Sequence, residues 1–390
     1  MSTYVKNDTV RPKDETKLKE TEQTANLHEH QQSLRYIFIT SFILVVVSSY
    51  IYPQFLNRQH KTNSNMMTSR SSRYSNFAGA ISEKLQNDRF WLEGDKQHWY
   101  HVEISEVQGS LKDPTITEEY VMSKFVQLDA DEETKNFISQ SVYKADQIFT
   151  QMWHNLAKAV LKRFFGYTQT DINGYLRRGS MFVLSTQQFM LLREKAGLPS
   201  NLDKPEGSLI DLGAGDGKPT EYLKPFYKDT FATEASWAMR DILEEKSINV
   251  LDINNWDGDE HSPRSFDIIS CLNLLDRCEK PKSILRQIRN ALKPDGVLLI
   301  ALVLPFNPYV EWNSSHEPVE DLLDAPLPND QGNGDSKFSF EKQITSIIEV
   351  VQKEGFSVDA WTRVPYLCEG DMGQSLYVLS DAVLLCSLNK

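Results

Sequence analysis

Residues Leu209–Gly217 read Leu-Ile-Asp-Leu-Gly-Ala-Gly-Asp-Gly, an apolar run that ends in an acid and leads into three alternating glycines. A buried strand followed by a glycine-rich turn and a helix is typical of nucleotide-type sites in α/β sheets. Glycine tolerates positive φ and lets a ligand approach the backbone, and the helix that follows presents unpaired N–H groups. The stretch therefore predicts a cofactor site at the end of a buried strand.

The glycine spacing and the acids beside it favour one class of cofactor. Gly213, Gly215 and Gly217 follow a Gly-x-Gly-x-Gly pattern, whereas a dinucleotide pyrophosphate is seated by Gly-x-Gly-x-x-Gly. The carboxylates of Asp211 and Asp216 would repel a pyrophosphate, but they suit S-adenosylmethionine, which carries a sulfonium and an ammonium group. We therefore expect S-adenosylmethionine at this turn, with NAD as the alternative.

A second short strand, Phe231–Glu234, supports this choice. It is largely apolar and ends in the carboxylate of Glu234. An acid about 20 residues beyond the glycine turn is where doubly wound sheets bind the ribose hydroxyls. Glu234 is therefore a predicted cofactor contact.

Composition limits the other classes of function. The chain has 390 residues, 40% of them hydrophobic, which is enough for a large buried core. Its net charge is −12 and its basic residues form no long cluster, so no nucleic-acid partner is expected. The four cysteines form no Cys-x-x-Cys pair. Of the close histidine pairs, His28 and His30 lie in a segment predicted to be disordered, and His98 and His101 have no cysteine or third histidine nearby, so no metal site is expected.

The first 89 residues differ from the rest of the chain. Residues 1–34 are polar and are predicted to be disordered. Tyr36–Tyr52 contains no charged residue, so 35–53 is predicted to be a transmembrane or signal-anchor helix. A buried core helix and a cleaved signal peptide are the alternatives. The Ser/Asn/Arg-rich run within 54–89 is predicted to be a flexible linker.

Alternating strand and helix patterns follow. Residues 90–200 are predicted to be a largely helical N-terminal part, with one long helix over Phe137–Phe165. Residues 201–390 are predicted to be the core, with an acidic insertion near 312–337. The predicted strands are Leu209–Leu212, Phe231–Glu234, Ile248–Leu251, Phe266–Cys271, Gly296–Val303, Ser357–Thr362 and Tyr377–Cys386. This pattern predicts an α/β fold, the Rossmann-like seven-stranded mixed sheet of class I S-adenosylmethionine-dependent methyltransferases, with an N-terminal helical addition and one transmembrane helix.

Ligands of open α/β sheets bind outside the carboxyl ends of the strands. Asn273 and Asp276 follow the fourth strand directly. We therefore expect both side chains beside the methionine part of the cofactor. The alternatives are a turn residue for Asn273 and a helix cap for Asp276.

From Trp99 to Leu388 the chain resembles the DREV family of protein-histidine methyltransferases. The matching segments are Arg178–Val183, Asp211–Gly217, Ala232–Glu234, Ile269–Cys278, Ala301–Phe306, Pro308–Glu311 and Pro365–Met372. The resemblance implies methyl transfer from S-adenosylmethionine to the pros nitrogen of histidine, in proteins where two histidines alternate with another residue (HxH motifs).

The resemblance also implies roles for individual residues. The family's cofactor contacts fall on Glu234, Asn273 and Tyr366, and the turn residues Asp211 and Gly213 are required with them.

Asp276 and Tyr377 match family positions on the substrate side and are the predicted catalytic residues. Asp276 is expected to accept a hydrogen bond from the acceptor imidazole and to stabilise the charge that develops on it. The N-terminal region and the acidic insertion depart from the family pattern. These departures bear on localisation and on substrate selection.

Two other functions stay open at this point. One is a membrane-tethered methyltransferase of a lipid-like or small-molecule acceptor, and the other is a non-catalytic membrane-anchored interaction protein. We expect a membrane-associated protein of the endoplasmic reticulum, with the mitochondrion as the alternative. His28 and His30 themselves form an HxH motif. This motif is either a site of methylation, by the same chain or in trans, or an incidental pair in a polar segment.

Overall fold

The computed structural model describes residues 84–103, 107, 117–199, 202–259, 261–311, 315–323, 340–371 and 373–389. The predicted disordered terminus, the apolar segment 35–53 and the histidine pair lie outside these residues. Within the described ranges, no helix has both the length and the apolar character needed to cross a membrane. Residues 84–93 are helical, so the part of the predicted linker from 84 to 89 belongs to a helix.

The main sheet has eight strands. They are β1 (Met181–Phe182), β2 (Ser208–Leu212), β3 (Asp229–Thr233), β4 (Asn249–Leu251), β7 (Phe266–Leu272), β8 (Leu292–Val303), β9 (Phe356–Glu369) and β10 (Leu376–Leu388), while the short β5 (Gly258–Asp259) and β6 (Ser262–Pro263) form a separate hairpin. The order across the sheet is β1-β9-β10-β8-β7-β2-β3-β4. Strands β4, β3, β2, β7 and β8 are parallel, and β10 is antiparallel to both β8 and β9.

This topology confirms the predicted class I methyltransferase sheet, with β1 added at one edge. The seven predicted strands are all present, and the last two form the expected hairpin. Strand β9 continues to Glu369, beyond its predicted end at Thr362. Pro365 lies within this extension and is paired with Ser380 of β10. A proline inside a run normally argues against a strand.

Both faces of the central strands are buried. Ile210, Ile269 and Ile300 pack into a core on one face, while Leu209 and Ile268 pack into a second core on the other. Because side chains of a strand alternate between faces, a strand covered on both sides reads as a continuous apolar run. This is why these strands were recognisable in the sequence.

Besides the helical residues 84–93, nine α-helices are present with both ends inside the described residues. They are α1 (Glu118–Ser123), α2 (Glu132–Ala145), α3 (Ile148–Val160), α4 (Gln169–Tyr175), α5 (Thr186–Lys195), α6 (Lys218–Leu223), α7 (Trp237–Glu245), α8 (Pro281–Ala291) and α9 (Phe340–Lys353). A π-helical turn, Leu161–Phe165, continues α3.

The single helix predicted over Phe137–Phe165 is wrong. The chain leaves the helical region at Gln147, where ψ is 73°, so α2 and α3 are separate helices. The apolar spacing runs across this break, and spacing alone does not reveal a break of one or two residues. Several residues of the expected core stripe therefore face solvent, including Phe149, which is 89% exposed.

Candidate active site

The glycine turn joins β2 to α6. Gly213, Gly215 and Gly217 have φ values of +70°, +57° and +71°, in the left-handed region that favours glycine. A Cβ on Gly213 would lie 2.9 Å from the Leu274 side chain, whereas the space above Gly215 is open as far as Met181, at 3.7 Å. The turn thus presents bare backbone at Gly215, where a ligand can approach closely.

Asp211 lies beneath the turn and is 1% exposed. Its carboxylate accepts hydrogen bonds from the hydroxyls of Ser270, at 2.7 Å, and of Thr220. Burial raises the pKa of Asp211 to about 6, and the two hydroxyls oppose the rise. In this structure Asp211 ties β2 to β7 and α6, and its direct contact with the cofactor stays a prediction.

Glu234 follows β3 and lies against the same turn. Its carboxylate accepts from the backbone N–H of Gly215 at 2.9 Å and of Ser236 at 2.8 Å. Burial raises the pKa of Glu234, and these backbone hydrogen bonds oppose the rise. The structure therefore brings the acid of the second strand and the glycine turn together, as the sequence predicts, and its ribose contact stays a prediction.

Asn273 follows β7 with a φ of +57°. Its backbone N–H donates to the Ala301 carbonyl at 2.9 Å, and its Nδ2 donates to Asp381 Oδ2 at 2.8 Å. The Oδ1 atom of Asn273 is buried without a hydrogen-bond partner within the described residues. The backbone of Asn273 bends as the turn alternative predicts. Its side chain is fixed by the hydrogen bond to Asp381, and its Oδ1 is left without a donor.

Asp381 is a site residue that the sequence analysis missed. It is fully buried on β10, and burial raises the pKa of this carboxyl well above its usual range. That shift favours the protonated form. The available signal was an acid inside an otherwise apolar strand, since a buried charge is costly unless it serves a purpose.

Asp276 is 2% exposed and lies three residues beyond Asn273. Burial raises the pKa of Asp276 to about 6, while Arg277, whose Nε lies 3.2 Å from Oδ2, opposes the rise. Its Oδ1 atom has no hydrogen-bond partner among the described side chains and backbone. The helix-cap alternative is wrong, because the next helix, α8, begins only at Pro281.

One of these two uncommitted oxygens, Oδ1 of Asn273, fits the expected cofactor, and Oδ1 of Asp276 is left for a second group. Oδ1 of Asn273 and Oδ1 of Asp276 are both buried acceptors. S-adenosylmethionine carries an ammonium and a sulfonium group, and such cations are stabilised by uncommitted acceptor oxygens. The glycine turn adds the open backbone at Gly215. The chemistry of this set therefore suits a cationic, nucleoside-bearing cofactor.

The two predicted tyrosines occupy different surroundings. Tyr366, on β9, contacts Met181 through its hydroxyl, and burial raises its pKa well above the usual range. Asp276 and Asp381 add to that rise, which places Tyr366 beside the acid cluster. Tyr377, on β10, is 44% exposed and lines a separate cavity of about 140 Å³. The structure thus groups Tyr366, but not Tyr377, with the acids.

This 140 Å³ cavity has a charged wall. Its lining includes His154 and Lys158 from α3, together with Arg178, Glu369 and Tyr377. Arg178 Nε lies 2.9 Å from Glu369 Oε1 in a buried ion pair that fastens the segment before β1 to the end of β9. Burial lowers the pKa of His154, and the positive charges of Arg178 and Lys158 lower it further. The sequence analysis did not identify His154 or Glu369.

The family model for DREV methyltransferases matches residues 113–388 of this chain. The chain belongs to the DREV methyltransferase family. It is an S-adenosylmethionine-dependent methyltransferase. S-adenosylmethionine is therefore its cofactor, and the alternative of NAD at the glycine turn is discarded.

A curated relative covers part of the chain. It is a malonyl-[acyl-carrier protein] O-methyltransferase from Haemophilus ducreyi, 28% identical over 118 residues, which are 28% of this chain and 46% of the relative. The chain thus spans less than half the length of that relative.

Two solved structures with a similar fold are distant in sequence. An S-adenosylmethionine-dependent methyltransferase from Clostridium acetobutylicum is 15% identical, with a TM-score of 0.33 over 61% of this chain and 100% of that one. A 1,6-didemethyltoxoflavin-N1-methyltransferase from Burkholderia thailandensis, bound to S-adenosylhomocysteine, is 15% identical, with a TM-score of 0.30 over 51% of this chain and 78% of that one. The strand order identifies the fold without them.

Proposed function

We propose that this methyltransferase transfers its methyl group to the pros nitrogen of histidine in HxH motifs of proteins. The observation that supports this most is Asp276. Its buried carboxylate stands at the carboxyl end of β7 with one oxygen uncommitted and with a pKa raised to about 6 by burial. An acceptor of this kind is suited to the N–H of an imidazole.

Histidine can act as a methyl acceptor without strong activation by the protein. A free imidazole has a pKa of about 6.5, so much of it is neutral and nucleophilic near pH 7 without a strong base. Bound S-adenosylmethionine supplies a methyl group on a positively charged sulfur; the carbon–sulfur bond breaks as the carbon–nitrogen bond forms, and S-adenosylhomocysteine leaves. The chain has to place the correct nitrogen in line.

Asp276 performs that placement in our proposal. Its carboxylate accepts the hydrogen bond from the tele N–H, which fixes the tautomer and turns the pros lone pair toward the methyl group. As positive charge develops on the ring, the carboxylate stabilises it. The tele proton then passes to Asp276 or to solvent, which restores a neutral methylated ring.

Tyr377 belongs to the acceptor side of this proposal. It stands on the wall of the 140 Å³ cavity with His154 and Lys158. A cavity of this volume suits a peptide side chain rather than the cofactor. Asp276 does not line this cavity, so in our proposal the reacting imidazole lies at Asp276 and the cavity takes another side chain of the same peptide.

The test is methyl transfer by the full chain. Labelled S-adenosylmethionine is incubated with a His-Ala-His peptide and with controls in which either histidine is alanine, and amino-acid analysis then separates the two N-methylhistidines. We expect pros methylation of His-Ala-His, strongly reduced in Asp276→Asn and kept in Asp295→Asn, an exposed acid at the start of β8. Cofactor binding without methylation of any peptide would refute the proposal that histidine is the methyl acceptor.

A carboxylate acceptor is the second candidate, because the Haemophilus ducreyi relative is an O-methyltransferase. The buried carboxyl of Asp276 argues against it, since its ionised form repels an acidic acceptor. A lipid-like or small-molecule acceptor and a non-catalytic interaction protein stay as alternatives. The peptide assay separates all of them from the histidine proposal.

A further inference from the structure

Helix α3 carries an apolar face that points away from the protein core. Ile148, Phe149 and Met152 are 58%, 89% and 57% exposed, and we call these three residues the α3 patch. Ile148 and Met152 are one turn apart, so they form a stripe with Phe149 beside it. The other side of the helix is buried through Ala157 and Val160. The helix thus has two apolar faces, of which one is solvent-exposed.

Basic residues lie at the end of this face. Lys162 and Arg163, in the π-helical turn that continues α3, are both exposed. They are cations on a protein whose net charge is −12. Lys162 lies ten residues beyond Met152, about 15 Å along the helix. A helix that shows aromatic and aliphatic side chains to one side and carries Lys and Arg further along has the pattern of helices that lie in the membrane interface. Cations there complement anionic lipid headgroups.

The chain enters the domain at the same corner. Lys84 Nζ lies 2.6 Å from Asp146 Oδ1, and Asp146 stands two residues before Ile148. The uncharged run that the sequence predicts to be membrane-inserted ends at Tyr52, which lies 32 positions before Lys84. The first described residues of the domain therefore lie beside the start of the α3 patch.

We propose that the α3 patch docks on the surface of a lipid bilayer whose anionic headgroups complement the basic residues at the end of the helix. Phe149, Ile148 and Met152 then lie at the boundary between headgroups and acyl chains, with Lys162 and Arg163 against anionic headgroups. Helix α3 also lines the 140 Å³ cavity, through His154 and Lys158 among others. Docking therefore holds this cavity close to the membrane surface and favours acceptors that are themselves attached to the membrane.

The test measures the depth of the α3 patch in vesicles. The full chain is reconstituted in phosphatidylcholine vesicles with and without phosphatidylserine. An environment-sensitive fluorophore is attached at Phe149→Cys and, as the matched control, at Asp295→Cys. Native thiols give a low background, because burial raises the pKa of Cys278 and Cys368 to about 12 and Cys271 and Cys386 are buried. Labelled wild-type protein measures that background.

We expect the Phe149→Cys label to shift to the blue and to be quenched several-fold more strongly by spin-labelled lipids than the Asp295→Cys label. Lys162→Glu combined with Arg163→Glu should remove the extra quenching that phosphatidylserine produces. The proposal is overturned if the protein fails to float with vesicles, or if it floats with both labels equally exposed to water. It is also overturned if the Phe149→Cys label is already protected without vesicles, which would indicate a second copy or another segment of this chain on the patch.

This result does not depend on the acceptor. Loss of histidine methylation with a membrane-buried patch would refute only the proposed function. Conversely, methylation of soluble peptides with a solvent-exposed patch would refute only the docking. If both proposals hold, an acylated His-Ala-His peptide in the same vesicles should be methylated several-fold faster than the soluble peptide, and Phe149→Asp with Met152→Asp should remove that advantage.

Discussion

The pH dependence of methyl transfer tests the role of Asp276 most directly. Burial raises the pKa of this carboxyl from 3.8 to about 6, so it loses its charge as the pH falls through 6. The acceptor imidazole loses its nucleophilic lone pair as the pH falls through about 6.5. If both deprotonated forms are required, kcat/KM falls with two overlapping ionisations on the acid side.

The magnitude follows from the two fractions. At pH 5 about one tenth of Asp276 is ionised and about one thirtieth of the free imidazole is neutral, so kcat/KM should be about 300-fold lower than at pH 8. Asp276→Asn has no ionisation at this position. Its activity is lower throughout, but it should fall only about 30-fold over the same interval, because the imidazole alone titrates.

The assay is initial-rate transfer of labelled methyl to the His-Ala-His peptide between pH 5 and pH 8, at low peptide concentration, for both proteins. Samples returned from pH 5 to pH 8 must recover full activity, which excludes unfolding as the cause. Parallel profiles for the wild type and Asp276→Asn would refute the reasoning, because they would mean that the carboxyl does not titrate in the step that limits kcat/KM.

Asp276→Asn should also stabilise the protein at pH 8. The pKa of Asp276 is about 6 in the folded protein and 3.8 in the unfolded chain, so the stability of the wild type is fully present below pH 3.8 and is lost as the pH rises through 6. Asp276→Asn should therefore raise the free energy of unfolding by about 3 kcal/mol at pH 8 and leave it unchanged near pH 3, as measured by denaturant unfolding. Asp381→Asn should keep cofactor affinity within about threefold, because a neutral amide resembles the protonated acid. Asp381→Leu leaves Nδ2 of Asn273 without its hydrogen-bond acceptor, and it should weaken cofactor binding by about 5- to 150-fold in calorimetry. Equal losses in the two Asp381 variants would contradict a protonated carboxyl. Gly213→Ala should lose cofactor binding and unfold at lower temperature, whereas Gly197→Ala, with a φ of +73° and no atom near its added Cβ, should show only the backbone strain of about 1–2 kcal/mol; normal cofactor binding by Gly213→Ala would contradict the turn geometry.

The part of the site that lies next to a strand end was predictable. Gly213 and Asn273 each follow a strongly apolar strand, Glu234 follows a short one, and parallel strands bring their carboxyl ends to one edge. Their chemistry is therefore encoded locally. Tyr366 and Tyr377 came only from the family resemblance, because nothing in their local pattern distinguishes them from ordinary strand residues.

The rest depends on contacts between distant segments. Asp381 reaches Asn273 only because β10 inserts between β8 and β9, and no local pattern specifies that insertion. The break at Gln147 was hidden for a different reason, since apolar residues on both sides of it keep helical spacing while α3 turns Phe149 outward. Periodicity reports that a face is apolar, but not what covers it.

The position of β10 in the sheet also bears on how the enzyme comes into being. Asn273 and its partner Asp381 are 108 residues apart, and the strand that carries Asp381 is the last one of the sheet to be synthesised although it lies between β8 and β9. During translation the glycine turn and the acids that flank it exist well before β8 and β9 can be joined. A nascent or shortened chain that stops before Leu376 therefore has two unpaired strand edges and no completed methyl-transfer site. Activity should accordingly arise in a single step, after translation has passed β10, rather than accumulate as the domain emerges.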